Sequence, residues 1–262
     1  MRTVIDSLPN NKATGLDGVT YETIKGRNLY GTVTTIFNVC LYNGRVPDSW
    51  KGALVHRIPK KDNIPDDPST WRDISLLPTI YKVFMKCILS RILPWLVDAN
   101  ILSTDQKAYI ERQGMNEHVF CLKTGIDDFK HESARFYAAF LDFRDAFGTL
   151  THDVMFQSLE EIHLPRVYID IVRDVYKDSF IQVICGNQLT EPIPLKLGIK
   201  TGCPWSAVNF VLAIDRWLQW MRLCAPQDVR SPNPIQGYTD DVLACSCSED
   251  VLKDMLSRTN SF

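Results

Sequence analysis

Three carboxylates placed at the ends of short strand-like runs constrain this chain more than any other feature. Residues 136–141 form an apolar run of strand length, and Asp142 follows it directly. Much later, residues 235–238 and 242–245 form two short runs around Thr239-Asp240-Asp241, the pattern of a β-hairpin with two carboxylates at its tip. A carboxylate at the end of a buried strand is costly unless it is solvated, paired or bound to a cation. If the two segments are neighbours in one sheet, the three carboxylates converge. Singly, Asp240 and Asp241 could be turn residues and Asp142 a helix N-cap. Together, flanked as they are, they fit those roles poorly.

Clustered Asp oxygens suit Mg²⁺, which takes hard oxygen ligands and keeps room for water and phosphate oxygens. Two such ions roughly 3.5–4 Å apart can activate an attacking oxygen and stabilise a leaving one. The rest of the chain reads as mixed helix and strand. Residues 80–93 put Ile80, Phe84, Cys87, Ile88 and Ile92 on one helical face, with Pro94 expected to end the helix. Residues 159–176 and 207–223 read as two further helices, the second heavily apolar. Proline-rich stretches at 65–68 and 226–234 punctuate the chain.

Composition excludes several classes. With 262 residues, 45% hydrophobic and 23% charged, the chain is neither disordered nor fibrous and allows one large domain or two ordinary ones. No run is apolar enough to suggest a membrane span, and Arg2 and Asp6 break any signal-peptide pattern. A soluble, intracellular protein is expected. Eight cysteines occur without a CxxC pair, which argues for free thiols over a metal or disulfide framework. Residues 1–114 carry 15 Lys+Arg against 11 Asp+Glu, and the remainder carries 14 against 20. That mild asymmetry leaves room for a polyanion on one half and divalent cations on the other.

Five segments, in order, resemble the reverse transcriptase domain, most closely that of non-LTR (LINE-like) retrotransposons. Residues 12–18, KATGLDG, resemble the opening KAPGPDG segment. Residues 71–77, WRDISLL, resemble WRPISLL, and residues 141–147, LDFRDAF, resemble LDF-x-x-AF. Residues 198–206, GIKTGCPWS, resemble G-x-x-QGCPLS, and residues 238–241, YTDD, resemble the YADD box. The resemblance runs from about Lys12 to Val242.

It implies a role for each matching position. Asp142 and Asp240 match Mg²⁺ ligands, and Asp241 matches the second carboxylate of the box. They would serve two Mg²⁺ ions in joining a DNA primer 3′-OH to the α-phosphorus of a dNTP, copying an RNA template. Arg72, with Lys60 or Lys61, matches residues that contact the incoming triphosphate, a role a guanidinium fork suits. Phe147 matches an aromatic pressed against C2′ of the sugar, which favours DNA as product. Thr201 and Gly202 match the segment beside the nucleotide. The chain departs from the pattern at Asp73 for Pro, Gly148 for Asp, Thr201 for Gln, Trp205 for Leu and Thr239 for Ala.

The implied fold class is α+β: right-hand polymerase fingers over residues 1–135, then a palm over 136–262 with an antiparallel sheet backed by helices. The chain stops about twenty residues after YTDD, so the rest of the palm and the thumb are expected to be absent, along with further domains of a parent polyprotein. No membrane partner is expected. A nuclear site of action would follow from target-primed integration. Two other readings stay open: a decayed remnant that binds nucleic acid without catalysis, and an RNA-dependent RNA polymerase with the same palm, which Phe147 disfavours.

Overall fold

The computed structural model describes residues 1–26, 29–59, 70–109, 114–131, 135–224 and 234–258. In chain order the elements are α1 (Arg2–Asp6), α2 (Tyr21–Lys25), α3 (Tyr30–Asn43), β1 (Gly52–Pro59), β2 (Trp71–Leu76), α4 (Thr79–Asp98), α5 (Met115–His131), β3 (Tyr137–Leu141), α6 (Ala146–Thr149), α7 (His152–Glu161), α8 (Arg166–Tyr176), β4 (Phe180–Cys185), β5 (Gln188–Leu189), β6 (Ile193–Pro194), α9 (Pro204–Cys224), β7 (Ile235–Tyr238), β8 (Asp241–Ser246) and α10 (Glu249–Arg258). The class is mixed α and β, as expected. Two compact units interleave along the chain: Met1–Ile92 with Leu150–Ser206, and Leu93–Thr149 with Ala207–Phe262. This partition by compactness differs from a single cut near residue 135.

The first unit is built on a mixed sheet in the order β2-β1-β4-β5, with β6 also paired to β4. β1 runs antiparallel to β2 and parallel to β4. Its core includes a cluster of rings, Phe37 of α3, Trp50 and Phe84 of α4, whose centroids lie 5.1–6.2 Å apart. The KATGLDG segment has a structural task here. The Asp17 carboxylate accepts the Thr79 backbone N–H at 2.8 Å, satisfying an otherwise orphaned donor in the first turn of α4. Gly15 lies so close to the Leu77 and Pro78 backbone that any side chain would collide with it.

The second unit holds a three-stranded antiparallel sheet in the order β3-β8-β7. The central strand β8 is buried from Val242 to Ser246, and α10 packs on β8 and β3. The apolar run over residues 136–141, expected as a buried strand, departs from expectation. β3 is one of the two edge strands, its residues alternate between half-buried and exposed, and Phe140 is 78% exposed. An apolar run specifies a strand, but burial depends on what packs over its faces: β7, at the other edge of the same sheet, is buried over residues 235–237.

Two helix expectations also change. α4 continues through Pro94 to Asp98. Pro94 and Ser90 both lie at exposed positions, so the carbonyl left without its helical donor can be solvated, which limits the cost of the proline. The expected helix over 159–176 is two helices, α7 and α8, broken where His163 adopts a left-handed φ of 55° and Pro165 precedes α8. Among the described residues, no helix is long and apolar enough to cross a membrane.

Candidate active site

The hairpin expected around Thr239-Asp240-Asp241 forms, with β7 and β8 antiparallel and Tyr238 opposite Asp241. The turn itself is Thr239-Asp240, and Asp241 is the first residue of β8. β3 pairs with β8 so that Leu141 faces Val242, which brings Asp142 to the same sheet end as Asp241. Asp142 and Asp241 are exposed and both line a cavity of about 250 Å³, whose other walls include Met115, His118 and Tyr238. Asp240 is half-buried in the turn.

The convergence of strands therefore holds, but the three-carboxylate cluster does not. Among the described residues, no three His, Cys, Asp or Glu side chains gather to hold a metal ion. The physical reason is local. Asp240 is half-buried in the turn, whereas Asp142 and Asp241 are exposed on the cavity. The pair Asp142 and Asp241 still has the donor chemistry for Mg²⁺, since one or two carboxylates suffice when water and phosphate complete the shell. Neither makes a side-chain ion pair among the described residues.

The turn is held by residues that no local sequence pattern flagged. Thr239, a β-branched residue, takes a left-handed φ of 61°, an unfavourable conformation that needs support. Gln106, fully buried, supplies it. Its side-chain oxygen accepts the Thr239 N–H at 3.0 Å, and its amide nitrogen donates to the Thr239 carbonyl at 3.4 Å. The flanking backbone joins in, with Gly237 N–H donating to Asp105 O at 2.7 Å and Lys107 N–H to Gly237 O at 3.1 Å. His118 of α5 reaches the Gly237 carbonyl with Nε2 at 3.1 Å, and burial pushes its pKa down. The only available signal was a polar residue between two helices, and such residues are mostly exposed.

Beneath this segment, the buried Asp105 pairs with Arg222 of α9. Asp215, also on α9, accepts the Ser103 N–H and hydroxyl at 3.1 and 2.5 Å and the Gln219 amide at 2.7 Å. Burial raises its pKa despite those bonds. Phe147, on α6, is half-buried, and its ring stacks on Phe210 of α9 with centroids 4.9 Å apart and planes 14° from parallel.

The remaining expected residues lie in the first unit, apart from Lys60 and Lys61, which fall outside the described residues. Arg72 is exposed on β2, opposite Ile58 of β1, and has no ion pair among the described residues. Asp73, a departure from the pattern, pairs with Arg57 at 3.0 Å. The Thr201 hydroxyl is hydrogen-bonded to that of Ser75 at 2.7 Å, so this departure ties the 198–206 segment to β2. Gly202 has φ 83°, and a Cβ there would come within 2.9 Å of the Ser75 carbonyl. Two constraints thus require glycine.

In the same segment, Lys200 is 2% exposed and donates to the carbonyls of Lys51 and Val175 at 2.8 and 3.1 Å. Its ammonium also lies 5.6 and 5.7 Å from the ring centroids of Tyr81 and Tyr176. Burial lowers its pKa to about 8. The nearby Lys51 charge adds to that lowering, and Cys203 opposes it.

Residues 58–262 match the family "Reverse transcriptase (RNA-dependent DNA polymerase)". The chain is 25% identical over 261 residues to the retrovirus-related Pol polyprotein from type-1 retrotransposable element R2 of Popillia japonica, covering 95% of this chain and 35% of that protein. It is 25% identical over 248 residues to the transposon TX1 uncharacterized 149 kDa protein of Xenopus laevis, covering 90% and 18%. To the RNA-directed DNA polymerase from mobile element jockey of Drosophila melanogaster it is 24% identical over 204 residues, covering 77% and 22%. The chain thus spans about a third or less of these relatives. Among solved structures, telomerase from Candida tropicalis in complex with a fragment of telomeric RNA matches with a TM-score of 0.60 at 12% identity, covering 92% of this chain and 42% of that one. At that identity the likeness is one of fold. A family match over most of the chain, with relatives from non-LTR retrotransposons, establishes that this chain belongs to the reverse transcriptase (RNA-dependent DNA polymerase) family.

Proposed function

We propose that the chain carries the nucleotidyl-transfer site of an RNA-directed DNA polymerase, joining a primer 3′-OH to a dNTP on an RNA template. The observation that carries this reading is the pair Asp142 and Asp241, exposed on one cavity at one sheet end, in a chain of the reverse transcriptase family.

In this reading Asp142 and Asp241 would hold Mg²⁺, with Asp240 in the adjoining turn as the third carboxylate of the set. When bound, the ions would make the primer hydroxyl more acidic and offset charge on the departing pyrophosphate. The new bond joins the 3′-oxygen to the α-phosphorus, and the bond to the bridging oxygen of the pyrophosphate breaks. The chain's own contribution is positioning. Arg72, with Lys60 and Lys61, engages the triphosphate. Phe147 excludes a 2′-hydroxyl by bulk, its ring held by Phe210. Thr201 and Gly202 lie along the nucleotide. The division into fingers over 1–135 and palm over 136–262, and the location in the nucleus, belong to the same proposal.

The test is primer extension by the 262-residue chain on an RNA template with dNTPs and Mg²⁺. Incorporation that Asp142→Asn and Asp241→Asn abolish is the expected result. A folded chain that incorporates nothing would instead favour the non-catalytic reading.

A further inference from the structure

A cavity of about 620 Å³ lies in the first unit, beside the end of α3 and against α7 and α8. That volume is in the range of sites that hold small organic ligands. Its walls combine ring faces with charge. His152 and Phe156 of α7 have centroids 6.3 Å apart, and His152 leans on Tyr176 of α8 at 4.8 Å. The Arg173 guanidinium lies 5.0 Å from the Phe156 ring centroid.

The charges in the wall are unequally satisfied. Asp174 accepts the Val46 N–H at 2.9 Å and faces the Lys51 ammonium at 3.4 Å. Asp170 pairs with Arg166 at 3.0 Å, and Arg173 with Glu160 at 2.6 Å. Arg45 and Lys177 also line the cavity and are exposed. Neither side chain has a hydrogen-bond or ion-pair partner among the described residues. The cavity therefore presents two unanswered cations next to ring and guanidinium planes.

We propose that this cavity binds a nucleoside 5′-phosphate, free or as an unpaired nucleotide of a strand. The phosphate sits between Arg45 and Lys177, and the base lies against the His152, Phe156 and Arg173 planes. A bare anion would use the cations but not the planes; unpaired bases stack on aromatic and guanidinium faces, and phosphates take charge-assisted bonds from Arg and Lys. The site has a route to the 198–206 segment within the same unit. His152 Nε2 is hydrogen-bonded to the Gly198 carbonyl at 3.0 Å. The Tyr176 hydroxyl accepts the Lys200 N–H at 3.3 Å and meets the Ser206 hydroxyl at 3.3 Å. A ligand stacked on His152 thus presses on a ring bonded to the loop that carries Thr201 and Gly202.

The experiment follows the five histidine imidazoles of the full chain by NMR without divalent cation, with His152→Gln assigning the signal of His152. Adenosine 5′-monophosphate should shift that signal saturably. The double variant Arg45→Glu/Lys177→Glu, changed only at exposed positions, should weaken binding about tenfold or more, and adenosine or inorganic phosphate alone should bind at least about tenfold more weakly. Unchanged affinity in the double variant, an unmoved His152 signal, or equal binding of phosphate alone would overturn the proposal. A short single-stranded oligoadenylate distinguishes the sources: tighter binding than the mononucleotide assigns the cavity to a strand, and weaker binding assigns it to the free nucleotide. Asp142→Asn should leave this binding intact, so failure here and failure of the polymerase reading remain separate.

Discussion

Replacing the fully buried Gln106 by leucine keeps much of the side-chain volume but removes both ends of the amide. The Thr239 and Ala108 N–H groups, each now 3.0 Å from the Gln106 oxygen, lose their acceptor in a buried setting. An unsatisfied buried donor costs about 1–3 kcal/mol, so the turn should be loosened by at least about 2 kcal/mol, even with the 3.4 Å bond to the Thr239 carbonyl counted as nothing. Because Thr239 also holds an unfavourable φ, part of that energy is released when the turn opens. The assay is amide hydrogen exchange read residue by residue, which reports local opening and avoids assuming one cooperative transition across two compact units. Protection at Thr239 and Ala108 should fall by roughly 30-fold or more, the equivalent of that energy. Gln106→Glu supplies a signed control. It keeps the acceptor for both donors but sets a carboxylate oxygen against the Thr239 carbonyl, so burial raises its folded pKa above the unfolded value of about 4.3. Its stability should then be near that of the parent chain below about pH 4 and fall as pH rises through the folded pKa. Protection within about threefold of the parent chain in Gln106→Leu, roughly 0.6 kcal/mol, would refute the claim that this amide holds the turn.

Further outcomes are expected at other positions. The folded pKa of Lys200, about 8, lies below the unfolded value of about 10.4. The unfolded chain therefore binds more protons between them, and stability should rise from about pH 8 toward pH 10 by on the order of 2–3 kcal/mol. Urea titrations should show that this rise is missing from Lys200→Met. Gly202→Ala should destabilise by about 1–3 kcal/mol, because it adds a Cβ at a positive φ and against the Ser75 carbonyl; a midpoint equal to that of the parent chain would contradict this. In extension assays Phe147→Ala should raise the ratio of ribonucleotide to deoxynucleotide incorporation. It should also lose about 1 kcal/mol from the stack on Phe210, read by thermal unfolding.

What could be read from sequence was local. The β7–β8 hairpin was legible because its two runs pair across a two-residue turn, so neighbours in sequence become neighbours in the sheet. The helix over α4 was legible from apolar periodicity, that over α9 from a long, heavily apolar run, and the family from five short segments in order. The break between α7 and α8 lay in plain view at Pro165, but the apolar pattern continued past it and masked the turn.

Other features depended on contacts between distant segments, and no pattern within either segment reports such a contact. How much of β3 is covered is set by the distant segments that pack over its faces, among them α10, so the apolar run of β3 could not announce its exposure. Asp17 was visible as part of a motif, yet its task, accepting the Thr79 N–H across 62 residues, was not. Gln106 looks like any surface glutamine until the hairpin 133 residues later supplies the carbonyl and N–H that it answers. Sequence alone determined the residue chemistry, the hairpin and the family. Tertiary structure decided which of those residues are buried, which carboxylates face one cavity, and what holds the turn beside them, because burial and hydrogen-bond partnership belong to pairs of segments and not to either one.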